Sequence, residues 1–340
     1  MTMKETDIVD RPAVARRCLF GLQYLRAVAA TGVVLFHATE AAGAPWRIGS
    51  RGVDLFFVLS GFLMIAITDG GVRPWPFFKD RLLRVAPLYW IATTALIMVA
   101  VVGLAPYMTL DPVRILASFA FIPYGDLTAG RIILPILPVG WTLNAEMLFY
   151  TLFALILMLP RYRMLVLTCV ICGLVTLGFL YRPIGAGAAW TQPILLEFVA
   201  GGWIGMAWVR PERRRQIFLF LLPALCVWTA LPVGRVGVMV TLILAAVLFF
   251  EARGAGIPKW RPLLLLGDAS YSIYLWQIFP LQFVFVLGQR LNVPPAILAV
   301  TASLAAIGGG ILAYLLLERP LLALFHRRRT RHGITIPAGP

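Results

Sequence analysis

Ten apolar segments follow one another along this chain of 340 residues, with short polar connections between them. Each segment is close to the 17 to 25 mainly apolar residues that a helix needs to cross the bilayer core. The approximate bounds are 19–41, 52–68, 85–104, 136–159, 164–181, 191–209, 216–232, 235–250, 270–288 and 296–317. The pattern predicts an all-α polytopic membrane protein, a bundle of about ten transmembrane helices.

The composition fits this class, because 60% of the residues are hydrophobic and only 13% are charged. A formal net charge of +15 invites the hypothesis that the chain binds nucleic acid. The lysines and arginines, however, lie in short clusters between apolar segments, and no polar surface interleaves them with aromatic residues. We therefore exclude nucleic acid as a partner and expect the positive charge to reflect membrane topology.

The basic residues are distributed unevenly between the two sides of the predicted membrane domain. With ten spans, one side carries 22 Lys and Arg residues and the other carries 7, while Arg26 lies inside the first span. Such a bias predicts that both termini are cytoplasmic. The expected organisation is a cytoplasmic tail at 1–18 without a signal-peptide layout, a transmembrane domain at 19–317, and a basic tail at 318–340 that binds lipid headgroups.

Two ionisable residues, Arg26 and His37, lie inside the first apolar segment. Eleven helical residues make three turns plus about 20°, so both side chains share one face, about 16 Å apart along the axis. A charged arginine facing lipid is costly, so this face is expected to point into the bundle. Either the pair is functional, or carbonyl groups hold Arg26 and His37 caps a helix end.

His37 is the only histidine outside the C-terminal tail, which makes it the one candidate for a general base of the imidazole type. Glu40 follows on the same helical face. Its carboxylate either orients the imidazole or lies in solvent at the helix end.

Arg81 and Arg84 are three residues apart, at the cytoplasmic mouth of the third predicted span. Paired guanidinium groups suit bidentate contact with the phosphates of a ligand, although lipid headgroups would serve equally well. Glu146 enters the fourth span from the outside, at the predicted level of His37. It is therefore a candidate acid/base partner of His37, or alternatively a structural hydrogen-bond acceptor.

Cys169 and Cys172 form a C-x-x-C pattern inside an apolar segment. A redox or metal role needs a solvated pocket and further ligands. We interpret these cysteines as small apolar side chains and expect no metal site.

Several segments together carry a family resemblance. They are LQYLRAVAATGVVLFH at 22–37, GVDLFFVLSGFLM at 52–64, RLLRVAPLYW at 81–90, GWTLNAEMLFY at 140–150, GDASYSIYLWQ at 267–277 and ERP at 318–320. In this order they resemble the membrane-bound acyltransferase family 3, whose members O-acylate extracytoplasmic carbohydrate. The first and fourth segments are most similar to its exopolysaccharide acetyltransferase branch.

The resemblance implies transfer of an acyl group, usually acetyl from cytoplasmic acetyl-CoA, to a hydroxyl of an exopolysaccharide or lipid-linked glycan across the bacterial inner membrane. It implies that Arg26 and His37 are essential, that Arg81 and Arg84 bind the donor, and that Glu146 is catalytic. His37 would either deprotonate the acceptor hydroxyl or accept the acetyl group transiently.

One position departs from the family pattern, because Gln277 stands where many members have a histidine. Gln277 is then only a hydrogen-bonding residue, or the chemistry is altered. The chain also lacks the C-terminal extracytoplasmic domain of some members, so it should complete the transfer within the membrane or pass the acyl group to another protein.

Two rival functions remain open. The first is a sugar or anion transporter with Arg26, Glu146 and His37 as coupling groups, although no repeat symmetry typical of transporters is visible. The second is a related sensor or assembly factor without turnover.

Overall fold

The computed structural model describes residues 19–43, 47–105, 108–126, 131–159, 161–229, 234–253 and 258–331. The predicted cytoplasmic tail at 1–18 and the last nine residues of the C-terminal tail lie outside the described residues, as do the 230–233 connection and part of the 42–51 connection.

The described part of the chain is predominantly helical, as the apolar segments predict. The helices are α1 (Phe20–Ala41), α2 (Gly52–Thr68), α3 (Pro74–Val101), α4 (Pro112–Phe119), α5 (Gly140–Ile156), α6 (Arg163–Tyr181), α7 (Ala186–Trp190), α8 (Leu196–Val209), α9 (Arg214–Trp228), α10 (Gly234–Ala252), α11 (Arg261–Asp268), α12 (Ser270–Trp276), α13 (Ile278–Arg290), α14 (Pro295–Ala313) and α15 (Arg319–Arg331). Short 3-10 turns cover Arg47–Arg51, Pro193–Leu195 and Pro211–Arg213, and a π turn at Tyr314–Glu318 joins α14 to α15.

Six helical stretches in the described residues are long and apolar enough to cross a membrane. They are Gly49–Thr68, Pro74–Val101, Arg163–Tyr181, Ala186–Val209, Gly234–Ala252 and Pro295–Phe325, and the bent pair α12 and α13 makes a possible seventh. Helix α1 is not among them, because polar residues interrupt its apolar sequence, and α5 and α9 have only 17 and 15 residues. The class of all-α membrane protein is therefore supported, while ten spans stay a prediction.

Helix α3 begins at Pro74, well before the start that hydropathy predicts for the third span. Proline is favourable in the first helical turn, where its missing N–H has no helical partner. The polar residues that follow it continue the helix. Arg81 and Arg84 therefore lie within α3, two and three turns from its start, instead of at its mouth.

The ninth predicted span is broken between α12 and α13, which meet at an angle of 45°. Pro280 explains the break, since it has no N–H to donate to the carbonyl of Trp276 and its ring would clash with that carbonyl in a straight helix. Gln277 is the residue at the junction and is fully buried. The bend therefore places this position inside the bundle.

A small antiparallel hairpin, absent from the sequence prediction, follows α4. It consists of β1 (Tyr124–Asp126) and β2 (Arg131–Ile133), with Gly125 opposite Ile132.

Asp111 caps α4, accepting a hydrogen bond from the Val113 N–H at 3.1 Å. Hydrogen bonds from the Tyr124 side chain and this N–H lower the pKa of the Asp111 carboxyl. Helix α4, with eight residues, is too short to cross a bilayer.

Helices α2 and α8 approach each other closely through a glycine on each helix. A Cβ added to Gly201 would lie 1.9 Å from the carbonyl oxygen of Val58, and one added to Gly61 would lie 2.0 Å from that of Phe198. Small residues let helix backbones approach in membranes, where packing drives association. These glycines therefore fix how α2 presents its inner face, including Ser60, to the rest of the bundle.

We expect Gly201→Val to lower the melting temperature of the detergent-purified protein by about 5 °C or more, because the new side chain overpacks the α2–α8 crossing. Gly173→Ala in α6 is the matched control, since nothing lies within 4 Å of its added Cβ. This control should melt at the wild-type temperature or slightly above it. Equal melting temperatures for the two variants would contradict the proposed packing role.

Candidate functional site

Arg26 on α1 lies near charged groups from three other parts of the bundle. It is half-buried and interacts electrostatically with Arg84 of α3, with Asp268 at the end of α11 and with Glu318 of the π turn. This placement confirms that Arg26 faces the protein interior. The alternative in which only backbone carbonyls hold its charge does not account for these neighbours.

Arg81 and Arg84 join the same region from α3. Both are half-buried, and the Nε of Arg81 is buried without a hydrogen-bond partner. Arg81 interacts electrostatically with Glu146 and Tyr150 of α5. A buried guanidinium N–H with no acceptor is an available donor for an anionic group.

Glu146 is held by two hydroxyl groups. Ser60 of α2 donates a hydrogen bond to its Oε1 at 3.3 Å, and Tyr150, one turn further along α5, donates a short hydrogen bond to the same atom. The Ser60 and Tyr150 hydroxyl oxygens also lie 3.3 Å apart. This arrangement places the carboxylate at a fixed position beside Arg81.

We call the six groups that meet here the central charge cluster. Its members are Arg26, Arg81, Arg84, Glu146, Asp268 and Glu318. In the described ranges, the ion pairs within 4.0 Å join other residues, so no direct ion pair links members of this cluster. The three guanidinium groups are therefore near carboxylates but not closed off by them, which leaves their donors free for a ligand.

His37 lies apart from the central charge cluster, three helical turns from Arg26 on the same face of α1. Its side chain is 37% exposed, and its Nδ1 lies 3.6 Å from Glu40 Oε2. The interaction between His37 and Glu40 that their spacing predicts is therefore present. A carboxylate on Nδ1 favours the tautomer that leaves Nε2 free to accept a proton.

The structure does not pair His37 with Glu146. The hydrogen bonds of Glu146 go to Ser60 and Tyr150, and its cationic neighbours are Arg81 and Arg84. The hypothesis that these two residues lie at one level does not fit the register of the helices, because the 3-10 turn Arg47–Arg51 before α2 packs back against α1. Gly52 packs against the Ala29 carbonyl, so α1 extends past the start of α2 and carries His37 beyond it.

Gln277 makes one hydrogen bond, from its Nε2 to the Tyr274 carbonyl at 2.8 Å. Its Oε1 is buried without a partner. The hydroxyl oxygen of Tyr274 lies 2.8 Å from the hydroxyl oxygen of Thr142 on α5. Tyr274 therefore connects the bent span to α5, while Gln277 bonds within its own span, which agrees with the hydrogen-bonding interpretation of Gln277.

Four residues in or beside the central charge cluster were not predicted as site residues: Glu318, Asp268, Ser272 and Tyr150. All four fall in segments that carry the family resemblance. Tyr150 follows Glu146 by four residues, a spacing that places both on one helix face and could have indicated the contact.

The three cysteines that the structure describes take no part in this region. Cys169 and Cys172 are exposed on α6, and Cys226 is exposed on α9. Among the residues that the structure describes, no group of three His, Cys, Asp or Glu side chains is arranged to hold a metal ion.

The family model of the acyltransferase domain, acyltransferase family 3, matches residues 19–315. The chain belongs to this family. The resemblance predicted from the motifs is thereby confirmed, and this protein is a membrane acyltransferase.

Three related proteins are similar to this chain over most of its length. This acyltransferase is 39% identical over 316 residues to the exopolysaccharide production protein ExoZ of Rhizobium meliloti strain 1021, an alignment that covers 88% of this chain and 98% of ExoZ. It is 27% identical to the putative membrane-bound transacylase BcsY of Komagataeibacter xylinus, covering 81% of this chain and 75% of BcsY. It is 24% identical to the O-acetyltransferase OatA of Staphylococcus aureus, covering 90% of this chain and 57% of OatA. No solved structure matches the chain.

Proposed function

We propose that this acyltransferase transfers acetyl from cytoplasmic acetyl-CoA to a hydroxyl of an exopolysaccharide, or of its lipid-linked precursor, on the opposite side of the bacterial inner membrane. The observation that carries the proposal is a cluster of three half-buried arginines, of which Arg81 has a buried Nε without a hydrogen-bond partner and Arg26 lies on the same helix as the partly exposed His37. The exopolysaccharide is chosen as acceptor class because ExoZ, the relative covered almost completely, is an exopolysaccharide production protein.

The donor end of the proposed site is the central charge cluster. The phosphates of acetyl-CoA are charged and cannot enter lipid, whereas Arg81 and Arg84 offer fork-shaped donors within the protein. The thin pantetheine arm would extend from there along the inner face of α1, past Arg26. The thioester would then lie toward His37, which is about 16 Å from Arg26 along the helix axis.

The acceptor end is the region of His37. In the direct route, the sugar hydroxyl oxygen attacks the thioester carbonyl while His37 takes its proton, the C–S bond breaks, and CoA leaves as thiolate. In the acetyl-histidine route, the free nitrogen of His37 attacks the thioester and expels CoA thiolate. The sugar hydroxyl then attacks the acetyl-imidazole, the N–C bond breaks, and the hydroxyl proton passes to the thiolate or to water. Glu40 holds the imidazole in the same orientation in both routes.

Glu146 is assigned to the donor end in this proposal. Ser60 and Tyr150 hold its carboxylate beside Arg81. In this proposal it does not exchange a proton with His37.

We expect Glu146→Gln to leave kcat within about twofold of wild type, because the reacting proton is taken at His37. Steady-state transfer assays at saturating acetyl-CoA measure this value. A large loss of kcat would contradict the assignment of Glu146 to the donor end.

An assay with purified protein tests the proposed reaction directly. The protein, reconstituted in liposomes, is given acetyl-CoA labelled in the acetyl group together with candidate exopolysaccharide oligomers. O-acetyl groups in the glycan, removable by mild base, are the expected product. Labelled acetyl-CoA that stays intact with every glycan, while the protein is folded, would contradict the proposal.

The proposal includes ten spans with both termini in the cytoplasm. In a variant without the four native cysteines, a cysteine at Ser50 should react with an impermeant thiol reagent on intact spheroplasts. A cysteine at Thr330 should react only after permeabilisation. The reverse pattern would place Arg81 and Arg84 outside the cell, where cytoplasmic acetyl-CoA cannot reach them, and would refute transfer across the membrane.

A further inference from the structure

We propose that Glu318 sets the affinity of the central charge cluster for the phosphates of the donor, as a fixed negative charge that competes with them for Arg84 and Arg26. The inference rests on the proposed function of these arginines in binding acetyl-CoA. It assigns to Glu318 a role in the release of the product, because free CoA carries the same phosphates as acetyl-CoA.

The position of Glu318 is fixed by the backbone and by one hydrogen bond. It ends the π turn Tyr314–Glu318 in the otherwise continuous helix formed by α14 and α15. A π turn inserts a residue and redirects the side chains around it, and such turns are frequent at functional sites. The side chain is 3% exposed, and the Ser272 hydroxyl donates a hydrogen bond to its Oε2 at 2.6 Å. Ser272 is itself fully buried.

The charges that Glu318 faces are those of the proposed donor site. Its carboxylate interacts electrostatically with Arg84 of α3 and with Arg26 of α1. Asp268, at the end of α11, acts on the same two arginines. The other neighbours of Glu318 are two tyrosines, Tyr271 of α12 and Tyr314 of the π turn.

Glu318 acts on the arginines through space. In the part of the chain that the structure describes, the ion pairs within 4.0 Å do not include it. The guanidinium N–H groups are therefore not used up by the carboxylate, and a phosphate can bind them directly. A negative charge that remains nearby lowers the potential felt by that phosphate, and so lowers its affinity.

This arrangement affects the rate at which CoA is released after transfer. Phosphates bind equally in acetyl-CoA and in CoA, so very tight binding would retain the product without accelerating transfer. A carboxylate anchored on Ser272 keeps the phosphate affinity moderate. Removing its charge should consequently strengthen binding of the phosphate-bearing end of acetyl-CoA. Loss of a residue with a purely structural role would weaken that binding.

The test is the affinity for adenosine 3′,5′-bisphosphate, which has phosphates of CoA but no pantetheine arm. Glu318→Gln keeps the size of the side chain and an oxygen that can accept from Ser272, but it removes the charge. We expect its Kd, measured by titration calorimetry in detergent, to fall roughly threefold to tenfold relative to wild type. Glu318→Asp keeps the charge and should stay within about twofold of wild type.

The matched control is Glu251→Gln in α10. Glu251 accepts a hydrogen bond from the Gly21 N–H, and no member of the central charge cluster is among its neighbours, so the affinity should not change. Asp268→Asn is the second variant, because Asp268 is exposed at the end of α11 and faces the same two arginines. Its substitution should lower the Kd in the same direction even if Glu318→Gln does not fold.

The outcomes separate the inference from the proposed function. If folded Glu318→Gln binds the bisphosphate no more tightly than wild type, or Asp268→Asn likewise when Glu318→Gln is unfolded, the inference is wrong. If wild type binds neither the bisphosphate nor acetyl-CoA, the proposed donor site itself is wrong. Tighter binding in both charge-removing variants, with Glu251→Gln unchanged, supports the competing-charge role.

Discussion

Replacing His37 with alanine is expected to reduce acetyl transfer by a factor of about 100 to 10,000, the range that general acid–base groups contribute. His37 carries the only imidazole in the predicted membrane domain, so no other side chain of this type can replace its proton-accepting nitrogen. The measurement is O-acetylation of the glycan by protein in liposomes. Acetyl-CoA affinity should stay close to wild type, because the proposed phosphate contacts belong to the central charge cluster, whose member Arg26 is three helical turns from His37 along α1.

The control for this variant is His326→Ala, which removes a histidine of the predicted C-terminal tail and should leave transfer unchanged. Both proteins must accumulate in the membrane to the same level. Incubation of wild type with labelled acetyl-CoA alone separates the two chemical routes. Label that stays on the protein and is absent from His37→Ala indicates an acetyl-histidine, whereas an unlabelled protein indicates direct transfer. Near wild-type glycan acetylation by His37→Ala would refute both routes.

Hydropathy predicted the apolar helices well where each one is both long and uninterrupted. Helix α6 begins and ends within a residue of its expected bounds, because a lipid-facing helix must be apolar throughout. The prediction failed where hydropathy and helicity diverge. Helix α3 continues through the polar turns around Arg81, since those residues are good helix formers although they are not apolar.

Local breaks in the helices were harder to predict, although one had a clear signal. Pro280 follows the SYSIYLWQ segment and accounts for the bend between α12 and α13, and an apolar window averages over it. The π turn at Tyr314–Glu318 has no such signal, because its extra residue is accommodated by packing against α12. Three-residue strands such as β1 are too short to show alternation.

Spacing on one helix correctly predicted which side chains share a face, and counting depth across helices did not predict which residues of different helices meet. The common face of Arg26 and His37, and the contact between His37 and Glu40, follow from helix periodicity alone. The depth of Glu146 relative to His37 depends on where α2 starts relative to α1, because Glu146 accepts a hydrogen bond from Ser60 of α2. That register is fixed by the packing of Gly52 against Ala29, a tertiary contact that sequence periodicity does not contain.

The sequence also did not show which carboxylates lie near the arginines of the central charge cluster. Asp268 and Glu318 are more than 180 residues from Arg84 in the chain, and they reach it only because α11, α12 and the π turn fold beside α1 and α3. Intramembrane arginines do predict that carboxylates lie nearby. The sequence offered several candidate carboxylates and no way to choose among them.

Replacing both Arg81 and Arg84 with glutamine is expected to raise the Kd for acetyl-CoA by about 100-fold or more. Each guanidinium that contacts a phosphate through charge-assisted hydrogen bonds contributes about 1.5 to 3 kcal/mol, and tenfold in affinity corresponds to about 1.4 kcal/mol. The paired lysine variant should recover only part of this affinity, because an ammonium group is a point charge without the planar fork. Calorimetric titration with acetyl-CoA gives both values.

The matched control is Arg213→Gln, which removes an exposed arginine just before α9 and should not alter donor affinity. Binding of glycan oligomers is the second measurement, and the double variant should retain it, because the acceptor is expected to meet the protein near His37. A double variant that binds acetyl-CoA as tightly as wild type would mean that Arg81 and Arg84 hold lipid headgroups instead. The buried, unpartnered Nε of Arg81 argues against that alternative, because a headgroup at the membrane surface would leave this donor unsatisfied in the interior.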